Sequence, residues 1–162
     1  MAKITTAERV SREASDNFVF QRSVLAYHHA AEIISGDVLE IGTGTGYGVD
    51  ILAPKCKRFI TIDKFLDPSV ATVENVERHQ MVVPPIDFAN GSFDFVVCFQ
   101  VIEHIKDDID NLAELLLDLI RTHEEMCIIL CEATYTCKSV ELTALLITVN
   151  CTELSKSERE FL

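Results

Sequence analysis

A cluster of glycines behind a carboxylate is the part of this chain best suited to binding a ligand. The stretch LEIGTGTGYG, residues 39–48, places four glycines within seven residues, just after an apolar run that ends in Glu40. Glycine inside a helix or strand costs about 0.5–1 kcal/mol relative to alanine, so such a run marks a sharp turn or a close approach of backbone to a ligand. A second apolar segment, Arg58 to Asp63, also ends in a carboxylate. Together they indicate a site built from backbone and carboxylates.

Two well-known glycine motifs do not fit this stretch. A phosphate-binding P-loop requires GxxxxGK[ST], and no lysine follows these glycines at that spacing. A dinucleotide fingerprint requires GxGxxG, but in each register the third glycine position holds Tyr47, Val49 or Ile51. The spacing therefore disfavours a nucleotide phosphate ligand and a nicotinamide-dependent oxidoreductase.

Apolar segments of two kinds alternate along the chain and would position these residues. Short β-branched or apolar runs predict strands, and segments with helical spacing lie between them. This alternation predicts an open, Rossmann-like α/β sheet of mainly parallel strands with flanking helices, whose ligand site lies at the carboxyl ends of the strands. The predicted strands are 38–41, 58–63, 75–83, 93–99 and 126–131; the predicted helices are 20–35, 48–53, a short one at 66–74, and 109–120. On the first of these helices, the spacing predicts one face made of Val24, Leu25, His28, Ala31 and Ile34.

The order of motifs resembles a known family. An acidic residue followed by alternating glycines, EIGTGTG from Glu40 to Gly46, resembles motif I of the class I S-adenosylmethionine-dependent methyltransferases, in particular the type 11/25-like domains. Asp63 stands where that family places an acid that grips the ribose hydroxyls. The stretch NGSFDFVVCFQVIEHI, residues 90–105, is similar to the family's fourth strand and the segment after it. The resemblance covers roughly residues 16–108 and implies that S-adenosyl-L-methionine is the cofactor.

The resemblance implies a role for each motif. The first motif would meet the methionine half of the cofactor, Asp63 the ribose diol, the residues after the third strand the adenine, and backbone after the fourth strand the amino group. The chain departs from the family where an aspartate commonly accepts from adenine, because Val82 stands there. The implied cofactor-binding residues are Glu40, Gly42, Thr43, Gly44, Gly46, Asp63, Val82, Val83, Phe99 and Gln100.

Methyl transfer to a hydroxyl or amine is helped by a general base, and histidine is the usual choice. Glu103 and His104 follow the fourth strand at the mouth of the expected site and are candidates, although packing or capping of the next helix explains His104 equally well. The catalytic residues otherwise stay unknown. The acceptor is expected to be a small molecule, with a protein as the alternative. The substrate-facing segments resemble nothing specific, so the sequence does not identify the acceptor.

Composition limits the partners. The formal net charge of −12 argues against a nucleic-acid ligand. No run approaches the roughly 18 apolar residues of a membrane span, and the first residues show no signal-peptide core, so we expect a cytoplasmic protein without a membrane partner. The six cysteines include no CxxC pair, and we expect reduced thiols and no metal site.

The C-terminal part is atypical for the family. We expect one methyltransferase-like domain, with an N-terminal helical lid at 1–36, a cofactor-binding core at 37–131 and a short C-terminal segment at 132–162. The last segment is too short for the usual helix and two strands, so the sheet should lack part of its C-terminal strands, and exposed apolar surface would favour a homodimer. The alternative function is a non-catalytic or truncated S-adenosylmethionine-binding module that needs a partner.

Overall fold

The computed structural model describes residues 17–68, 70, 73–101, 104–105, 115–116, 118–120, 126–132, 135–136, 139–140 and 143–149. The sequence also predicts a helix start at Thr5 and a last short helix from a capping-box signal at Ser155, and both lie outside these residues. No helix within the described ranges is long and apolar enough to cross a membrane.

A six-stranded sheet forms the centre of the described fold. Its order is β3-β2-β1-β4-β5-β8, in which the first five strands run parallel and β8 is antiparallel to β5. The open sheet of mainly parallel strands is therefore confirmed. The elements are α1 (Asn17–Ala31), β1 (Asp37–Ile41), α2 (Tyr47–Leu52), a 3₁₀ turn (Ala53–Lys55), β2 (Arg58–Asp63), β3 (Val76–Gln80), β4 (Phe95–Phe99), β5 (Met126–Glu132), β6 (Tyr135–Thr136), β7 (Ser139–Val140) and β8 (Thr143–Val149).

The central strands are buried on both faces, which explains their nearly continuous apolar sequences. Alternate residues belong to two separate hydrophobic clusters. Leu39 and Ile41 of β1 pack on the side of Leu116, and Val38 packs on the side of α1 and α2. By the same alternation, Glu40 of β1 faces the side covered by the two helices.

The buried face of α1 differs from the one that the spacing predicts. Leu25 is 48% exposed and His28 is exposed, so this part of the prediction was wrong. The aromatic ring of Tyr27 decides the orientation, because it packs edge-on against both Tyr47 and Phe99. The residues that α1 and its C-terminal extension bury are Ala26, Tyr27, Ala30 and Ile34.

Three other segments can be compared with their predictions. The helix predicted at 66–74 is not observed, since the described residues of that segment have turn or irregular backbone. The sequence of residues 140–150 is compatible with one strand or a short helix, and the structure has strand β8 there. The third strand ends at Gln80, three residues earlier than predicted.

The orientation of α1 predicts different effects for the same substitution at two leucines. Leu39→Ala should lower the free energy of unfolding by about 2–5 kcal/mol, because the side chain is fully buried. Leu25→Ala should change it by less than about 1 kcal/mol, because the side chain is half exposed. Urea denaturation of both variants checks this, and a loss at Leu25 as large as that at Leu39 would contradict the observed helix face.

Candidate functional site

The glycine loop continues the pairing of β1 with β2. The backbone amides of Gly42 and Thr43 both donate to the carbonyl oxygen of Ile62, at 2.8 and 3.2 Å. The chain then turns through positive φ angles of 92°, 54° and 83° at Gly42, Gly44 and Gly46, a conformation that other residues rarely adopt. The turn leads into α2, at the start of which the Val49 amide donates a hydrogen bond to the Gly46 carbonyl oxygen.

The four glycines have two different functions. A Cβ at Gly42 would lie 2.4 Å from the Val101 side chain, one at Gly46 would lie 2.5 Å from Val70, and one at Gly48 would lie 2.2 Å from Glu40 Oε1. These three glycines therefore let protein groups pack against the backbone. Among the described residues, a Cβ at Gly44 would meet nothing within 4 Å, so of these four glycines Gly44 alone turns its backbone toward open space.

Asp63 joins the end of β2 to the glycine loop. Its Oδ2 accepts a hydrogen bond from the Gly44 amide at 2.8 Å, and its Oδ1 accepts one from the Phe65 amide at 2.9 Å. A carboxylate oxygen offers about two acceptor positions, so each oxygen can take a further hydrogen bond from a ligand. The side chain is thus held in place beside the open face of Gly44 while it keeps acceptor capacity.

A buried chain of polar groups lies behind the loop. The Thr61 hydroxyl donates to Glu40 Oε2 at 2.5 Å, and the hydroxyl oxygens of Thr43 and Thr61 are 2.6 Å apart. When Glu40 is ionised, Thr61 donates its only hydroxyl proton to the carboxylate, so Thr43 must donate to Thr61. All three side chains are buried. The carboxylate is therefore coupled to the loop through two hydroxyl groups.

Glu40 is the carboxylate in this row of buried polar groups, and its charged form is disfavoured there. Burial raises the pKa of its carboxyl from 4.5 to about 7, although the Thr61 and Tyr27 hydroxyls lower it, and the charge of Asp63 raises it further. Burial also raises the pKa of the Tyr27 hydroxyl, and the Glu40 charge adds to this shift. The Tyr27 hydroxyl is close enough to lower the pKa of Glu40. Even so, Glu40 Oε1 has no hydrogen-bond partner among the described residues. A buried oxygen without a partner destabilises the ionised state.

The structure links some of the predicted site residues by hydrogen bonds. Glu40, Thr43, Gly44 and Asp63 are linked directly or through Thr61 by the hydrogen bonds above.

The other predicted site residues lie at or after the ends of β3 and β4, and their exposure varies. Phe99 is buried against Tyr27, and Gln100 has a positive φ of 56°. Val82 is 68% exposed, whereas Val83 is partly buried against the core. His104 is exposed, and its amide donates to the Val101 carbonyl oxygen at 2.9 Å, next to the glycine loop. Glu103 lies outside the described residues.

Four residues at the site were not predicted from the sequence as site residues. Thr61 is a polar residue inside an apolar strand, and its cross-strand pairing with Glu40 is the signal that could have identified it. Phe65 has an exposed side chain, and its backbone amide donates to Asp63. Tyr27 lies in an apolar helical segment and Val70 follows no recognisable pattern, so only the fold reveals their contacts.

Comparison with known proteins gives consistent matches. Residues 9–144 match a family model described as a methyltransferase domain. A probable S-adenosylmethionine-dependent methyltransferase of Mycolicibacterium smegmatis is 37% identical over 112 residues, which are 62% of this chain and 41% of that protein. The chain thus spans less than half the length of this curated relative.

Solved structures share the fold. The N-methyltransferase NodS of Bradyrhizobium japonicum, in complex with S-adenosyl-L-homocysteine, is 17% identical and superposes with a TM-score of 0.59 over 76% of this chain and 65% of its own. A chain in the complex of the Haloferax volcanii Trm112 methyltransferase activator with a presumed methyltransferase is 15% identical, with a TM-score of 0.59 over 74% of this chain and 55% of its own. At these identities the likeness supports the fold alone.

The raised pKa of Glu40 predicts how stability depends on pH. In the window from about 4.5 to 7 the folded state binds a proton at Glu40 more tightly than the unfolded state does, so this contribution to stability is lost as the pH rises. Replacing the ionisable group in Glu40→Gln should flatten the dependence by at least about 1 kcal/mol between pH 5 and pH 8, whatever the variant's overall stability. Urea denaturation at both pH values measures this.

Glu77→Gln provides the control, because the Arg58 guanidinium lowers the pKa of that exposed carboxyl and its titration lies below this window. An unchanged dependence in Glu40→Gln would show that Glu40 does not hold its proton in the folded state.

Proposed function

Because residues 9–144 match the methyltransferase domain model, the chain belongs to that family, and we propose that it binds S-adenosyl-L-methionine and transfers the methyl group to a small-molecule acceptor. The observation that carries this proposal is the position of Asp63, which is held by two backbone amides beside the open face of Gly44. The curated relative is named for this activity, and the NodS structure contains the demethylated cofactor.

The residues present fit the chemical groups of the cofactor. Asp63 has acceptor capacity for a pair of ribose hydroxyls, and Gly44 leaves room for a ligand against the backbone. When ionised, Glu40 places a negative charge behind the loop, which attracts a cationic ligand. Neither a phosphate-binding lysine nor the third glycine of a dinucleotide site is present in this stretch.

Catalysis in this proposal depends mainly on placement. The bound cofactor supplies a methyl group already activated by its sulfonium, so a large part of the acceleration comes from holding the acceptor in line with it. His104 is our candidate for removing a proton from the acceptor, and its placement supports this. Its amide binds the carbonyl of Val101, whose side chain packs on Gly42, so the His104 backbone lies close to the glycine loop. Glu103, which precedes His104 in sequence, is the other candidate.

A second candidate function is a cofactor-binding module that is active only with a partner. The Haloferax volcanii neighbour comes from a complex with a methyltransferase activator, which favours keeping this alternative. A homodimer would be another way to complete the site. A cytoplasmic location agrees with Cys56, whose thiol forms no disulfide bond within the described residues.

Calorimetric titration with S-adenosyl-L-homocysteine, beside NAD, tests the cofactor. We expect micromolar binding of S-adenosyl-L-homocysteine and none of NAD. Asp63→Ala should weaken the binding by at least about tenfold, because it removes the acceptor for the ribose hydroxyls.

Asp118→Asn is the matched control and should bind like the wild type. Asp118 is exposed, and its carbonyl accepts from Gly91 ahead of β4, at the opposite end of the sheet. Absence of binding to the wild type would overturn the proposed cofactor. Binding without turnover of any acceptor by the chain alone would favour the module over the enzyme.

A further inference from the structure

Arg78 of β3 anchors the segment that connects β2 to β3. Its Nη1 donates to the Val70 carbonyl oxygen at 2.7 Å, and its Nη2 donates to the Asp67 carbonyl oxygen at 2.8 Å. The Val70 amide also donates to the Asp67 carbonyl oxygen, at 3.2 Å, and closes a turn whose second residue is Pro68. One guanidinium group therefore binds both ends of this turn.

The anchored turn presses directly on the glycine loop. Val70 is buried, and its Cγ2 and Cγ1 lie 2.5 and 2.7 Å from the position of a Cβ on Gly46. Gly46 is two residues from Gly44, whose amide binds Asp63. A continuous set of contacts therefore runs from Arg78 through Val70 and Gly46 to the open face of the loop.

We propose that Arg78 is a positioning residue for cofactor binding, because it holds Val70 against Gly46 and so keeps the glycine loop and Asp63 in the geometry that receives the cofactor. This inference rests on the proposed function. In the bonds above, Arg78 contacts backbone atoms and no side chain. Strand β2 lies between its own strand, β3, and strand β1, which leads into the loop. Its effect on the ligand is therefore indirect.

The guanidinium group is suited to this function. Its planar fork offers parallel donors to two carbonyl oxygens at once, which a lysine ammonium cannot match in fixed geometry. Hydrogen bonds from a charged donor are stronger than neutral ones. The segment from 64 to 75 contains no helix within its described residues, so its carbonyls depend on such side-chain donors.

Asn75 offers a matched control. It also uses one side chain to bind two backbone carbonyl oxygens, those of Ala53 and Cys56, at 2.8 and 3.0 Å. These bonds secure the connection between α2 and β2, which lies at the opposite end of the strands from the glycine loop. Arg78→Met and Asn75→Ala each remove a bidentate side-chain anchor, but only the first anchor leads to Gly46.

The experiment measures thermal stability and S-adenosyl-L-homocysteine affinity for both variants. Both should unfold at a lower temperature than the wild type. Arg78→Met should also weaken binding by about fivefold or more, whereas Asn75→Ala should bind within about twofold of the wild type. Arg78→Lys should recover part of the affinity. Equal weakening in Arg78→Met and Asn75→Ala, or no weakening in Arg78→Met, would overturn the inference.

A double-mutant cycle with Val70→Ala tests the path. If Arg78 acts through Val70, the effects of Arg78→Met and Val70→Ala on affinity should be less than additive. Additive effects would overturn this path. Failure of the wild type to bind would instead overturn the proposed function, and the role of Arg78 with it, whereas failure of the inference alone leaves wild-type binding intact.

Discussion

The carbonyl oxygen of Ile62 is the point on which the geometry of the site depends. It accepts hydrogen bonds from two consecutive amides, those of Gly42 and Thr43, where the ladder between β1 and β2 ends. This double contact turns the chain away from the strand direction, and the positive φ of Gly42 makes the turn possible. Asp63 is the next residue after Ile62, so the same bond that bends the loop sets the loop beside the carboxylate.

Neighbouring glycines of the loop have different surroundings: three pack against protein groups, and one is accessible to a ligand. Packing at Gly42, Gly46 and Gly48 fixes the backbone from three sides, and each contact requires the absence of a side chain. Gly44 is left open between them. The buried hydroxyls of Thr43 and Thr61 then connect the loop to Glu40, whose ionised form is disfavoured by burial. A rigid loop with an accessible centre loses little conformational freedom when a ligand binds.

The sequence predicts the parts of this arrangement that depend on local patterns. The strands follow from apolar runs, and Glu40, the glycines and Asp63 follow from their positions at strand ends. The rest depends on contacts distant in the chain. The buried face of α1 is decided by Tyr27, which packs edge-on against rings of α2 and β4, and the spacing within the helix cannot reveal this. Val70 is one apolar residue among many until the fold places it on Gly46.

The connection from β2 to β3 shows how an irregular segment can support a site. A helix would satisfy its own carbonyls, but it would also impose a fixed distance between the turn and the loop. The described part of this connection instead bonds to its flanks: Arg78 of β3 donates to two of its carbonyls, and its own Phe65 amide donates to Asp63 of β2. Because the backbone is held by side chains, Val70 can approach Gly46 more closely than a Cβ there would permit. The irregular connection and the glycine at position 46 are therefore two halves of one packing arrangement, and each depends on the other.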